Sequence, residues 1–169
     1  MPTAFVGLGS NIEPRREYLQ LALKRLAEAP LGLVAQSSLY ESAPVDVVDQ
    51  PWFLNMVVQL ETELEPLALL RALQVIEKEA GKQVVIRRGP RTLDLDLLLW
   101  GQVLLETPDL VLPHERLASR EFVLRPLAEI APEQRHPLYE RSAADLLAAL
   151  GPSDGTVRCL GPFHGEDQR

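Results

Sequence analysis

Four extended segments and two helical stripes, in the order β-α-β-β-α-β, predict an α+β fold with a ferredoxin-like core. Three observations carry this prediction. Apolar residues alternate along Thr3 to Leu8, Trp52 to Glu61 and Leu93 to Trp100. They recur at helical spacing at Leu19, Ala22, Leu23 and Leu26, and again at Leu69, Leu73, Ile76 and Ala80. Pro and Gly punctuate the joins. In such a fold an antiparallel sheet buries one face under two helices and leaves the other free for function.

The first strand, Thr3 to Leu8, runs into Gly7-Leu8-Gly9-Ser10-Asn11. No Gly-Lys-Ser/Thr follows these glycines, so they read as a tight turn and not as a P-loop. Ser10 and Glu13 have capping-box spacing and Pro14 falls in the first turn of the next helix, which ends near Pro30-Leu31-Gly32. Leu33 to Glu41 is the second strand, and a loop with Pro44, Asp46, Asp49 and Pro51 leads to the third, Trp52 to Glu61. There Trp52, Leu54, Met56, Val58 and Leu60 form an apolar face, with Phe53, Asn55, Val57, Gln59 and Glu61 opposite. Pro66 opens the second helix, Gly81 stops it, and Leu93 to Trp100 is the fourth strand. Beyond it come a short helix from Ser119, another over Ser142 to Leu150, and an edge strand over Val157 to Leu160. The expectation is one catalytic domain over 1–169, with a core at about 3–132 and a C-terminal helix and tail over 133–169.

The chain has 169 residues, 46% of them hydrophobic and 24% charged, as expected of a soluble domain with a substantial core. A formal net charge of −7 argues against nucleic-acid and anionic-membrane binding. The N-terminal residues lack a basic segment followed by an apolar one, and no apolar run approaches the ~20 residues that span a bilayer. A cytoplasmic monomer acting on small molecules is expected. Cys159 is the only cysteine, which excludes an intrachain disulfide and a cysteine-based metal motif.

The most informative stretch is Arg87-Arg88-Gly89-Pro90-Arg91-Thr92-Leu93-Asp94-Leu95-Asp96. Alternation puts Asp94 and Asp96 on one strand face and Leu93, Leu95 and Leu97 on the other. Two carboxylates held side by side repel unless a cation sits between them, and Mg²⁺ takes such hard oxygen ligands together with phosphate. A bare Asp-x-Asp reads more often as an acidic outer face. The positive run Lys82, Arg87, Arg88 and Arg91, with no acid among them, changes that reading to a site for a metal-bound polyphosphate. Parity places Phe53, Asn55, Asp94 and Asp96 on the same side of the sheet.

Arg87-x-Gly-Pro-Arg91-x-x-Asp94-Leu-Asp96-Leu-Leu resembles the signature of the 6-hydroxymethyl-7,8-dihydropterin pyrophosphokinases of folate biosynthesis. Gly9-Ser10-Asn11, Ser42-x-Pro44, Phe53-Leu54-Asn55, Pro113-His114 and Arg120-x-Phe122 follow in that family's order. The resemblance implies transfer of a pyrophosphoryl group from ATP to the hydroxymethyl oxygen of a reduced pterin, with release of AMP. Asp94 and Asp96 are similar to the ligands of two Mg²⁺ ions, and Arg91 with Lys82 to the residues that neutralise the transferred group. Gln74, Glu77, Arg87, His114 and Arg120 resemble further nucleotide contacts; on their helix, Gln74 and Glu77 also read as its solvated side. Ser42, Pro44, Val45, Phe53, Asn55 and Phe122 resemble the pterin site, the two aromatics stacking on the flat ring and Asn55 reading its edge. Lys82 stands where relatives have arginine, and Arg88 where many have tryptophan. The alternatives are a phosphotransferase for another flat alcohol, which would release ADP, an RNA-binding module on the same scaffold, and an inactive relative kept for protein contacts.

Overall fold

The computed structural model describes residues 1–44, 49–81 and 92–163. Its elements are β1 (Thr3–Ser10), α1 (Arg15–Leu26), β2 (Leu33–Gln36), β3 (Leu39–Ser42), β4 (Phe53–Glu61), α2 (Pro66–Glu79), β5 (Asp94–Trp100), β6 (Leu105–Glu106), β7 (Val111–Leu112), α3 (Glu121–Ile130), α4 (Ala143–Ala149) and β8 (Val157–Gly161). The main sheet runs β5-β1-β4-β3-β8, with β2 also on β4, and every pairing is antiparallel. Strands β6 and β7 form a separate ribbon. Among the described residues no helix is long and apolar enough to cross a membrane.

The expected second strand is two strands. Gln36 lies opposite Val58 and Tyr40 opposite Asn55, so this side carries one residue more than β4 between those pairs. Ser37 absorbs the excess. Its N–H donates to Val57 O (2.9 Å), and its hydroxyl accepts from Val57 N (3.0 Å) in place of a backbone carbonyl. A side chain thus closes the ladder where the backbone bulges away.

A second bulge falls where β5 meets β1. Phe5 lies opposite Leu99 and Val6 opposite Leu97, which leaves Leu98 as the extra residue. Leu95 and Leu97 therefore join the core under α1 and α2, while Leu98 and Leu99 both join a second core. Without the bulge, alternation would send Leu99 back to the first face.

The first core holds Ala4, Val6, Leu8, Leu54, Met56, Val58 and Leu60 from the sheet against Leu19, Ala22, Leu23 and Leu26 of α1 and Leu69, Leu73 and Ile76 of α2. These are the predicted stripes. The opposite face is not free, as the sequence suggested. Phe5, Val57, Leu98 and Leu99 are covered there by Val123, Leu124 and Leu127 of α3 and by Ala143 and Leu146 of α4. The apolar residues that cover this face lie far along the chain, so strand parity alone gave no sign of them. Ser142 caps α4 by accepting from Asp145 N at 3.1 Å, and β8 supplies the expected edge strand on β3.

The predicted capping box is absent, because β1 continues through Ser10 and α1 begins only at Arg15. Glu13 instead accepts from Arg15 N (3.1 Å) and Arg15 Nε (2.7 Å). Gly7 and Gly9 are likewise strand residues and not a turn.

Gly32 joins α1 to β2 at φ +70°, and its carbonyl accepts from Glu61 N at 2.9 Å. A Cβ there would collide with the Glu61 carbonyl oxygen, which is backbone and cannot swing aside. Gly32→Ala should therefore destabilise the fold by more than about 2 kcal/mol, read as a lower urea midpoint at unchanged slope.

Candidate active site

Pairing of β1 with both neighbours aligns a row of residues across the sheet. Gly9 lies opposite Asp94 on one side and Asn55 on the other, and Asn55 lies opposite Tyr40. One step along, Gly7 lies between Asp96 and Val57. Opposed residues point to the same face, so each carboxylate stands beside a residue with no side chain. The need for space is measurable at Gly9, where a Cβ would sit 3.2 Å from Asn55 Oδ1 and 3.7 Å from the Phe53 ring.

Asp94 and Asp96 are half-buried at the head of β5, on the face away from Leu95 and Leu97. The N–H of Leu95, between them, donates to the buried carboxylate of Glu77 at 2.8 Å. Glu77 is therefore not on the solvated side of α2. It grips the strand beneath the two aspartates, a role that helical spacing did not reveal. Gln74 lies nearer the surface, where its Oε1 accepts from Arg71.

His114 is held beside this strand by its own N–H, which donates to Leu98 O at 2.9 Å. Its Nδ1 accepts from Arg116 N at 3.2 Å, so the proton of the neutral ring sits on Nε2. Burial, and then the Arg120 guanidinium, hold the imidazole below its ordinary pKa, while Glu115 and Asp94 pull the other way. His114 thus lies within electrostatic reach of both Arg120 and Asp94.

At the other end of the row, the buried Asn55 amide donates to the buried Ser42 hydroxyl. Ser42 lies opposite Phe53 on β4, and Gly9 lies against both Phe53 and Asn55. Ser42, Arg120 and Phe122 line a cavity of about 440 Å³, whose far wall includes Leu150, Pro152, Thr156 and Val157. The guanidinium of Arg120 lies 5.3 Å over the Phe122 ring. That far wall was invisible in the sequence, because it depends on β8 pairing with β3. Pro44 is half-buried, two residues beyond Ser42. Lys82, Arg87, Arg88, Arg91 and Val45 lie outside the described residues.

The donor set suits a hard cation. Among the described residues no cluster of three or more His, Cys, Asp or Glu side chains could hold a metal by itself, so Asp94 and Asp96 would supply two ligands and leave the rest to phosphate oxygens and water, as Mg²⁺ prefers. Thr92 adds an orphaned oxygen. Its Oγ1, two residues before Asp94, is buried and has no hydrogen-bond partner among the described residues.

Comparison with known proteins shows which family the chain resembles. Residues 5–132 match the family model described as 7,8-dihydro-6-hydroxymethylpterin-pyrophosphokinase (HPPK). A 2-amino-4-hydroxy-6-hydroxymethyldihydropteridine pyrophosphokinase from Pseudomonas aeruginosa is 49% identical over 158 residues, covering 93% of this chain and 96% of that protein. The Bacillus subtilis protein of that name is 47% identical over 128 residues, covering 75% and 77%. Among solved structures, a Plasmodium falciparum HPPK-DHPS triple mutant with pteroate superposes with a TM-score of 0.73 at 15% identity, over 94% of this chain and 46% of that one. At that identity the superposition speaks for the fold, and this chain spans under half of that protein. Matched over most of its length by the family model, and at nearly half identity by a relative it covers almost end to end, the chain belongs to the 6-hydroxymethyl-7,8-dihydropterin pyrophosphokinase family.

Proposed function

We propose that Asp94 and Asp96 hold ATP through two magnesium ions at the head of β5, and that Ser42, Pro44, Val45, Phe53, Asn55 and Phe122 hold the pterin. The reaction follows from the family: pyrophosphate passes from ATP to the hydroxymethyl group of 6-hydroxymethyl-7,8-dihydropterin in folate biosynthesis, and AMP is released. The observation that supports this division of labour best is the row Asp94–Gly9–Asn55, which spans the sheet with a glycine at its centre.

The hydroxymethyl oxygen attacks the β-phosphorus of ATP, a new P–O bond forms, the bond to the α-phosphate oxygen breaks with AMP taking the electron pair, and the hydroxyl proton passes to solvent. Magnesium bound at the aspartates would neutralise the triphosphate and orient it. The protein's share is positioning and charge. Gly9 leaves room for substrate over the sheet backbone between Asp94 and Asn55. Glu77 fixes the strand between the two carboxylates. His114, neutral and carrying its proton on Nε2, is suited to donate to a phosphate oxygen, and Arg120 brings positive charge nearby. Gln74 lies on the helix that carries Glu77, at a nucleotide-facing position in this reading. Lys82, Arg87 and Arg91 complete the phosphate contacts in this reading, and no side chain is assigned as base for the hydroxyl.

The scaffold reads as a ferredoxin-like βαββαβ core with C-terminal additions. The order β5-β1-β4-β3 supports the core, with β2 and β3 together standing as its second strand, and α4 and β8 follow it in the chain. Both cores share one sheet, which supports a single domain.

AMP formation from ATP, dependent on both Mg²⁺ and hydroxymethyldihydropterin, is the primary test; ADP as the nucleotide product would refute pyrophosphoryl transfer. Asp96→Ala should lower turnover by at least about a thousandfold, the scale of lost transition-state charge stabilisation, with the thermal midpoint little changed. Gly9→Ala should raise KM for the pterin about tenfold while KM for ATP holds, because the Asn55 amide has to shift by a few tenths of an ångström. Equal changes in both constants would argue against Asn55 as a pterin contact.

A further inference from the structure

Helix α3 lies along β3 and meets it at three places. At the far end, the Glu129 carboxylate accepts from Ser38 N (3.0 and 3.1 Å to its two oxygens), Ser38 Oγ (2.8 Å) and Tyr40 OH (2.7 Å). In the middle, the Arg125 guanidinium lies 5.4 Å over the Tyr40 ring and also donates to Val157 O of β8 at 3.0 Å. At the near end, Phe122 and Ser42 line the same cavity.

These contacts share a register. Phe122, Arg125 and Glu129 follow three and four residues apart, which makes one stripe of the helix. Ser38, Tyr40 and Ser42 alternate onto one side of the strand. Seven helical residues rise about 10 Å and four extended residues about 13 Å, so the two segments keep step from one end to the other. Tyr40 is only 5% exposed, whereas Glu129 and its bonds to Ser38 lie at the surface, so the bond from Tyr40 is the more sheltered part of the cluster. Burial and the Glu129 carboxylate both push the phenol pKa up, which keeps the group a donor.

We infer that Glu129 is a positioning residue for the pterin: its carboxylate sets how far α3 slides along β3, and so fixes the gap between Phe122 and Ser42. The inference rests on the assignment of those two residues to the pterin. Glu129 itself touches no substrate in this arrangement. The strand that carries Asp94 and Asp96 lies on the other side of β1 and β4, so the effect reaches the nucleotide only through Arg120 at the head of α3 and falls mainly on the pterin.

Steady-state kinetics with both substrates varied tests this. Glu129→Ala should raise KM for the pterin about fivefold, the worth of roughly one hydrogen bond, with a smaller rise in KM for ATP carried by Arg120. Glu129→Gln keeps an acceptor oxygen for Tyr40 and Ser38 and should restore most of the loss. Phe122→Ala, measured alongside, should also raise the pterin KM. If Phe122→Ala raises it while Glu129→Ala does not, the inference fails and the pterin assignment stands; if Phe122→Ala has no effect, both fall. Equal rises in the two KM values, with no recovery in Glu129→Gln, would also overturn it by showing general loosening. Should Glu129→Ala not fold, Tyr40→Phe removes one of the same bonds without leaving a buried hydroxyl unpaired, and the same split of KM values decides.

Discussion

The arrangement depends on the antiparallel pairing of β1 with β4 and β5, which fixes which side chains stand abreast. Cross-strand neighbours are about 5 Å apart, close enough that a methyl group in the middle of the row would displace what lies beside it. Placing Gly9 there leaves a gap between Asp94 of one strand and the Asn55 amide of another, whereas Gly7 is covered by the Leu98 side chain. A one-residue slip of β5 on β1 would turn Asp94 and Asp96 into the core and their leucines outward, and a slip of β4 on β1 would do the same to Phe53 and Asn55. The bulge at Leu98 lies beyond the aspartates, so it redirects the far half of β5 without disturbing its head.

The two faces of the sheet do different work. The face under α1 and α2 is continuous apolar packing and holds the strands in register. The other is divided, with α3 and α4 sealing the end that holds Phe5, Val57, Leu98 and Leu99, while the polar row occupies the rest. This division lets α3 serve twice, as a lid on the second core and as the bearer of Phe122. The same economy is visible in Glu77, whose carboxylate leaves α2 to hold the backbone between the two aspartates. A buried carboxylate with a good donor is stable, and without one it is costly.

Much was legible because the relevant periods are short. Alternation at Leu54, Met56, Val58 and Leu60 and helical spacing at Leu69, Leu73 and Ile76 each report a local face, and all of these residues are buried as the patterns require. The pair Asp94 and Asp96 was legible for the same reason. Ser37 was not, since nothing in Leu33 to Glu41 distinguishes a serine that replaces a ladder carbonyl from one that faces solvent. The capping box failed because its spacing is shared by a strand that continues two residues further than the apolar pattern implies. Gly7 and Gly9 were read as a turn because glycine pairs usually are; the use of Gly9 as a gap became visible only with Asp94 and Asn55 beside it.

By itself, then, the sequence determined where the main strands and helices lie, which of their faces are apolar, and which short motifs carry the charges and aromatics, but not the split of β2 from β3 or the β6–β7 ribbon. These are properties of residues within a few positions of each other, written in steric preference and burial. The tertiary structure alone decided that α3 and α4 close the second face, that Glu77 turns inward beneath Leu95, and that Glu129 meets Ser38 and Tyr40 some ninety residues earlier in the chain. Such contacts form where separate elements pack, and their energy depends on distances that no local pattern encodes.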